Sequence, residues 1–372
     1  MQHVFLMSAS GLTTGAAEYY PLKDWNGTAL GLGNGTNKKR LRAGTLSYFT
    51  IETAAAAGVG KSWTFSLYKN GVVTATVLTI SGGSQTQATQ TQGINVADSD
   101  YFEWEVTASG TPTAARAFFG CIYEPAAGGV YVLTFADADA PTAGATEFSR
   151  IPNGGWTATE AERQAPFPHA CTIKEIHAAV VTAPGAGKTL TLTARVAGAD
   201  TLATVSISET SISGSTIGLS VAVTAAQLLS LSSVLTAAAT AAAVQITLVI
   251  QPTVDNEAVW MGGTANNLAA SVQYHSIPDG ERAEETTTEG LKQQAVPAVK
   301  TNYLTVRKFY VRMNTVSNSN DVWTVRNNAG TGIEFTILAG ANDGSNTADD
   351  LTLTSYDKIN LRVDASTADN VG

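Results

Sequence analysis

Leu46-Ser47-Tyr48-Phe49-Thr50-Ile51 decides how this chain folds, because the same pattern is written three times. It returns as Ile173-Lys174-Glu175-Ile176-His177-Ala178 and again as Val306-Arg307-Lys308-Phe309-Tyr310-Val311. Apolar side chains stand at the same three offsets in each copy. Flanking features keep their order too: Gly60-Lys61-Ser62-Trp63-Thr64-Phe65 recurs as Gly187-Lys188-Thr189-Leu190-Thr191-Leu192. Leu351-Thr352-Leu353, with Asp357, Ile359, Leu361 and Val363 after it, repeats Ile94-Asn95-Val96 followed by Asp100, Phe102, Trp104 and Val106. A spacing of roughly 130 residues is too long for a solenoid unit and right for a small domain.

The expected architecture is therefore all-β: three tandem antiparallel β-sandwich domains, jelly-roll-like, spanning residues 1–125, 126–253 and 254–372. The first copy reads as strands at 3–8, 17–22, 45–53, 62–69, 75–80, 89–96, 101–107 and 115–123. Trp63-Thr64-Phe65-Ser66-Leu67 alternates with the period of a half-buried strand. Phe102-Glu103-Trp104-Glu105-Val106 does the same, which puts both glutamates on a solvent face. Asn70-Gly71, Gly82-Gly83, Gly110-Thr111-Pro112, Pro152-Asn153-Gly154-Gly155 and Pro278-Asp279-Gly280 supply the turns. Residues 225–235 are the nearest candidate for a helix, but their counterpart in the first copy is a strand. A jelly roll is the eight-stranded member of the sandwich class. Strand order cannot be read from one sequence, so an immunoglobulin-like topology stays open.

The joints, Glu124-Pro125-Ala126-Ala127-Gly128-Gly129 and Gln251-Pro252-Thr253-Val254-Asp255, are short and contain proline, which predicts a semi-rigid string of beads. Phe49, Ile176 and Phe309 are expected to be equivalent core residues, as are Val106 and Val363. The third copy lacks a counterpart to 115–123 and 244–250, because Asp364-Ala365-Ser366-Thr367 matches the segment that leads up to Gly110. The missing strand is expected beside 361–364, supplied by a neighbouring subunit or by further residues of a longer protein.

Charged residues make up 14% of the chain, against a usual value of about 25%. A net charge of −9 argues against a nucleic-acid surface. Lys38-Lys39-Arg40 with Arg42, and the acidic stretch 281–289, read as solvated loops. Cys121 and Cys171 fall in apolar strands of different copies, where a thiol behaves as a small hydrophobe. They are expected to be reduced, in keeping with assembly in a reducing cytoplasm. The N-terminal Met1-Gln2-His3-Val4-Phe5-Leu6-Met7 lacks the basic and long apolar regions of a signal peptide. The most apolar window, 237–250, is too short to span a bilayer, so a soluble protein is expected.

Little of the sequence points to chemistry. Gly60-Lys61-Ser62 and Gly187-Lys188-Thr189 end like phosphate-binding loops, but Ala55 and Thr182 stand where that motif needs its first glycine. An alternating strand follows each, not the helix whose N-terminus would cradle phosphate. His3, His169, His177 and His275 lack zinc-site spacing, and His177 reads as a surface-facing strand residue. Glu103/Glu105 and Asp349/Asp350 do not recur between copies as a carboxylate pair for glycoside hydrolysis would. The Asp98/Asp100 and Asp343/Asp349/Asp350 turns lack calcium-loop spacing. The expectation is a non-enzyme with no catalytic, cofactor-binding or metal residues and no cofactor.

The recurring unit resembles the tandem β-sandwich modules of tailed-bacteriophage virion proteins, those of head and tail appendages and decoration proteins. The residues that carry the resemblance are Cys171-Thr172-Ile173-Lys174-Glu175-Ile176, the small-residue turn with Gly187-Lys188-Thr189, and the threonine-alternating strand after it. In the first copy Asn70-Gly71, Ala97-Asp98-Ser99-Asp100 and Gly110-Thr111-Pro112 continue it. The second copy departs from it, with Val223 to Ala226 in place of the aspartate turn. The resemblance implies a structural fibre, spike or decoration protein of a virus particle, assembled in the host cytoplasm and contacting other virion proteins. A homo-oligomer is expected, a trimer by analogy, with neither nucleic acid nor membrane as partner. The second reading is a cell-surface adhesin that binds host-surface glycans through Trp25 and Trp156.

Overall fold

The computed structural model describes residues 3–9, 11–22, 26–27, 41–98, 100–126, 128–137, 140–151, 155–254, 257–261, 270–275, 277, 294–297, 304–313, 315–330 and 332–366. Among these the chain is all-β, and the one helical element is a 3-10 turn at Glu160–Arg163.

The first repeat contains β1 (His3–Ala9), β2 (Glu18–Pro21), β3 (Asn26–Gly27), β4 (Gly44–Thr53), β5 (Gly58–Lys69), β6 (Val72–Gly82), β7 (Gln87–Gln90), β8 (Ile94–Val96), β9 (Phe102–Ser109) and β10 (Ala117–Pro125). One sheet runs β3-β1-β10-β4, with β7 and β8 in line along the far side of β4. The other runs β2-β9-β5-β6. The single strand expected over 89–96 is thus two short ones, because β4 bulges at Tyr48 and its partner must break opposite.

The second repeat contains β11 (Tyr131–Asp137), β12 (Thr146–Ser149), β13 (Ala165–Pro166), β14 (Cys171–Val180), β15 (Gly185–Val196), β16 (Ala199–Glu209), β17 (Ser213–Thr216), β18 (Val221–Val223), β19 (Leu228–Leu235) and β20 (Val244–Pro252). Its sheets are β11-β20-β14 with β17 and β18 on β14, and β12-β19-β15-β16 with β13 on β19. If each in-line pair counts as one position, both repeats follow 1-8-3-6 in one sheet and 2-7-4-5 in the other. Residues 228–235 are strand, as their counterpart in the first copy required.

The third repeat contains β21 (Val272–His275), β22 (Gln294–Ala295), β23 (Leu304–Arg312), β24 (Asp321–Asn327), β25 (Ile333–Ile337), β26 (Asp343–Leu353) and β27 (Lys358–Asp364). Its sheet β21-β27-β24-β25 reproduces 2-7-4-5, with β22 also on β27. Among the described residues the second sheet is β23-β26, positions 3 and 6.

Alternation decides what is buried. Trp63, Phe65 and Leu67 of β5 meet Phe102, Trp104 and Val106 of β9 and Phe49 and Phe119 of the facing sheet in one core. Phe49 and Phe119 each lie edge-on or tilted to Trp104, the geometry that ring quadrupoles favour. The second core is mostly aliphatic, built on Ile173, Ile176, Leu192, Leu231 and Leu248, with Tyr131 and Phe167 as its buried aromatic rings. Val106 and Val363 are both buried, as the alignment of copies predicts.

The face of β9 opposite the core is less wet than expected. Glu103 is fully buried, and Glu105 accepts hydrogen bonds from the Tyr19 and Tyr68 hydroxyls at 2.7 and 2.9 Å. Tyrosines from β2 and β5 line this face, so the glutamates are not on open surface. The Glu105 hydrogen bond, with burial, pushes the Tyr19 hydroxyl up to about 12. Asn70-Gly71 turns β5 into β6 with φ of 51° and 81°, and Ala197-Gly198 does the same between β15 and β16 with 51° and 78°. Two successive residues at positive φ match the twist of a two-residue hairpin.

Candidate interaction site: repeat junctions and an open sheet edge

The first strand of the first and second repeats faces two ways. Phe5 and Met7 point into the first core, while Val4 and Leu6 belong to a cluster of the third repeat with Val296, Val325, Leu353 and Ile359. Tyr131 and Leu133 lie in the second core, while Val132, joined by Val249, lies in the first. Val259, at the head of the third repeat, lies in the second. The first repeat thus enters the third, the second enters the first, and the third enters the second. This closed ring replaces the expected string of beads, since the joints are short and each outer face is itself apolar.

Polar contacts follow the same cycle. Arg42, just before β4, pairs with Glu175 on β14 at 3.2 Å and with Asp98 at 3.0 Å. His169 holds the matching place before β14; its Nδ1 lies 3.9 Å from Glu257, whose other oxygen is 2.7 Å from Lys308 on β23. Glu175 and Lys308 occupy matching places at the register shifts of β14 and β23. On the remaining side Lys358 reaches Glu52 of β4 at 2.6 Å, and the Trp260 indole N–H donates to the Val4 carbonyl at 3.1 Å. β22 packs on β4 and β10, as β13 packs on β23.

His169 is buried at one of these junctions. Its Nδ1 lies 3.0 Å from the Ala170 carbonyl, which can only accept, so Nδ1 carries the proton. Nε2 then accepts from the Tyr131 hydroxyl at 3.0 Å. Burial lowers the His169 pKa against the opposing pull of the Ala170 carbonyl and Glu257. His3 packs edge-on to Tyr131 with ring centroids 5.7 Å apart. His177, expected on the surface, is mostly covered and sits 2.8 Å from Glu175 in the junction between the first two repeats.

Among the described residues the strand with one ladder partner is not the one expected. β27 is flanked by β21 and β24, so no ladder is missing beside 361–364. The eighth position belongs to the opposite sheet, against the third strand, where β10 pairs with β4 and β20 with β14. Among the described residues β23 pairs with β26 only. Leu46, Phe49 and Ile51 are buried, as are Ile173, Ile176 and Ala178. Their counterparts Val306, Phe309 and Val311 are only half-buried.

The other singled-out residues have structural places. Gly60 and Gly187, at φ of 70° and 67°, sit in bulged starts of β5 and β15. Lys188 donates to the Ala237 carbonyl at 3.0 Å. Asp100 accepts from the Ala97 N–H at 2.7 Å and the Asn70 amide at 2.5 Å, and pairs with Lys69 at 2.7 Å. Asp357 repeats this against Asn327, Asn328 and the Thr354 N–H, while in the second repeat the Gln227 amide oxygen accepts from the Thr224 N–H instead. These hydrogen bonds hold both aspartates below the usual range against the opposing effect of burial. Asp350 pairs with Arg307 and Asp349 accepts from Asn346.

Among the described residues no three His, Cys, Asp or Glu side chains gather to hold a metal ion, and no helix is long and apolar enough to cross a membrane. Trp156 packs against the second core. Trp25, residues 38–40, 152–154, 278–280 and 281–289 lie outside the described residues. Comparison with known protein families and with curated proteins finds no match.

Proposed function

We propose that this chain is a non-enzymatic structural component of a virus particle, of the head or tail appendage, fibre or decoration type, built from three tandem jelly-roll domains. The observation that carries the reading is the twice-repeated strand order 1-8-3-6 and 2-7-4-5, which is that of the jelly roll, a common architecture of viral coat proteins. The third repeat supplies the parts 2-7-4-5 and 3-6 of the same order. Asp100 and Glu105, which sequence inspection could assign to chemistry, are engaged in a turn and in hydrogen bonds from Tyr19 and Tyr68. In this reading the chain acts through surface area, with other particle proteins as partners. Trp156, one of the two aromatic residues of the glycan-binding reading, is partly buried against the second core.

Mass spectrometry of purified particles from a culture carrying the gene tests the proposal. Recovery at a fixed copy number per particle is the expected result. Recovery only from the cell envelope or medium, with none in particles, overturns it.

A further inference from the structure

The third repeat points to a specific kind of ligand, on grounds independent of where the protein resides. We propose that β23 takes a further antiparallel strand on its open side, apolar at its core-facing residues as β20 is at Ile246, Leu248 and Ile250. The first and second repeats supply the template. β10 and β20 lie between the first and third strands of their sheets, paired with both. In the third repeat β23 is the third strand; Val259 enters the second core as Val132 enters the first, and Glu257 two residues before it pairs with Lys308 of β23.

Two separate features of β23 agree on what belongs there. Its backbone has ladder partners on one side only among the described residues, and unpaired N–H and C=O groups are a template for another strand. Its apolar side chains Val306, Phe309 and Val311 are half-buried where their counterparts in both sister sheets are covered. A polar ligand leaves Val306, Phe309 and Val311 uncovered, whereas an apolar extended strand meets both needs. The sister ladder also fixes the register. Ile250, Leu248 and Ile246 lie opposite Ile173, Ile176 and Ala178, so a strand of that sequence sets the same three side chains opposite Val306, Phe309 and Val311.

The test uses the 372-residue chain and a fluorescein-labelled synthetic peptide with the sequence Val244–Pro252, flanked by lysines for solubility. Fluorescence anisotropy reads binding, and hydrogen exchange resolved along the chain reads its location. Saturable one-to-one binding is expected, with exchange of the Leu304–Arg312 amides slowed by about tenfold or more. A peptide N-methylated on the edge that faces β23 keeps its side chains and is expected not to bind. Failure to bind, equal binding of the N-methylated peptide, or protection confined to other strands overturns the proposal. So does full protection of β23 before any peptide is added, which means the chain already covers that edge itself.

Discussion

Val4 and Val132 hold the same place in successive repeats, and each leaves its own sandwich to enter the core of a different one. Val4 packs with residues near 296–359, far along the chain, and Val132 packs with the first repeat. A residue in β1 therefore helps to set the stability of the last repeat.

Val4→Asp should destabilise the third repeat at least as much as the first. A charge placed in that apolar cluster has no partner there, and unpaired burial is among the largest single-residue penalties. Hydrogen exchange of β24 and β27 amides checks it: faster exchange there than in β5 and β9 is expected. Loss confined to the first repeat would mean that the junction does not couple them.

Phe49→Ala should cost about 3–5 kcal/mol, in line with a large side chain deleted from a closed core. Phe309→Ala, at the matching position, should cost clearly less, because that ring is only half-covered. Denaturant midpoints of the two variants decide it, and equal losses would contradict the different burial.

Acidification should weaken the junction at His169 before it titrates the structural carboxylates. Its folded-state pKa lies below the ordinary 6.5, so the neutral ring is the folded form. The stability it contributes is fully present above pH 6.5 and is lost as pH falls below that value towards the folded pKa. Asp100, Glu160 and Asp357, with pKa values lowered in the fold, contribute stability present above their ordinary 3.8–4.5 and lost below it. Unfolding midpoints of the wild type and His169→Gln across pH 7 to 5 separate the two windows, and the variant should show the flatter profile.

Cys121 and Cys171 should be inert to a thiol reagent in the native chain and react only on unfolding. Both are buried and neither forms a disulfide, and burial pushes the Cys171 thiol up to about 12. Thiolate is the reactive species, so little is available near neutrality. Fast native-state labelling of either would show that its strand opens readily.

Much of the fold was legible because alternation and turn chemistry act locally. Strand-by-strand spacing placed Phe49, Ile176, Val106 and Val363 in register, and Asn70-Gly71 marked its hairpin. The junctions were harder, since they depend on which outer faces meet. A signal was present in Val4-Phe5-Leu6-Met7 and in 117–123, whose unbroken apolar runs mean burial on both faces. Glu103 was misread for the same reason: period-two alternation says which side a residue faces, not what covers that side. The edge beside 361–364 was misplaced, because strand order is a long-range property: β27 has partners on both sides, and among the described residues it is β23 that has one. His169 carried no motif at all, and only its matching offset with Arg42 connects it to the junction.

Three separate subunits that closed a ring this way would come apart on dilution, and any change in one would appear in all three. Covalent succession removes both conditions. Neighbouring repeats meet at an effective concentration set by short joints rather than by protein abundance. Each position can also diverge alone, which is how a histidine comes to stand in the second repeat where the first has an arginine.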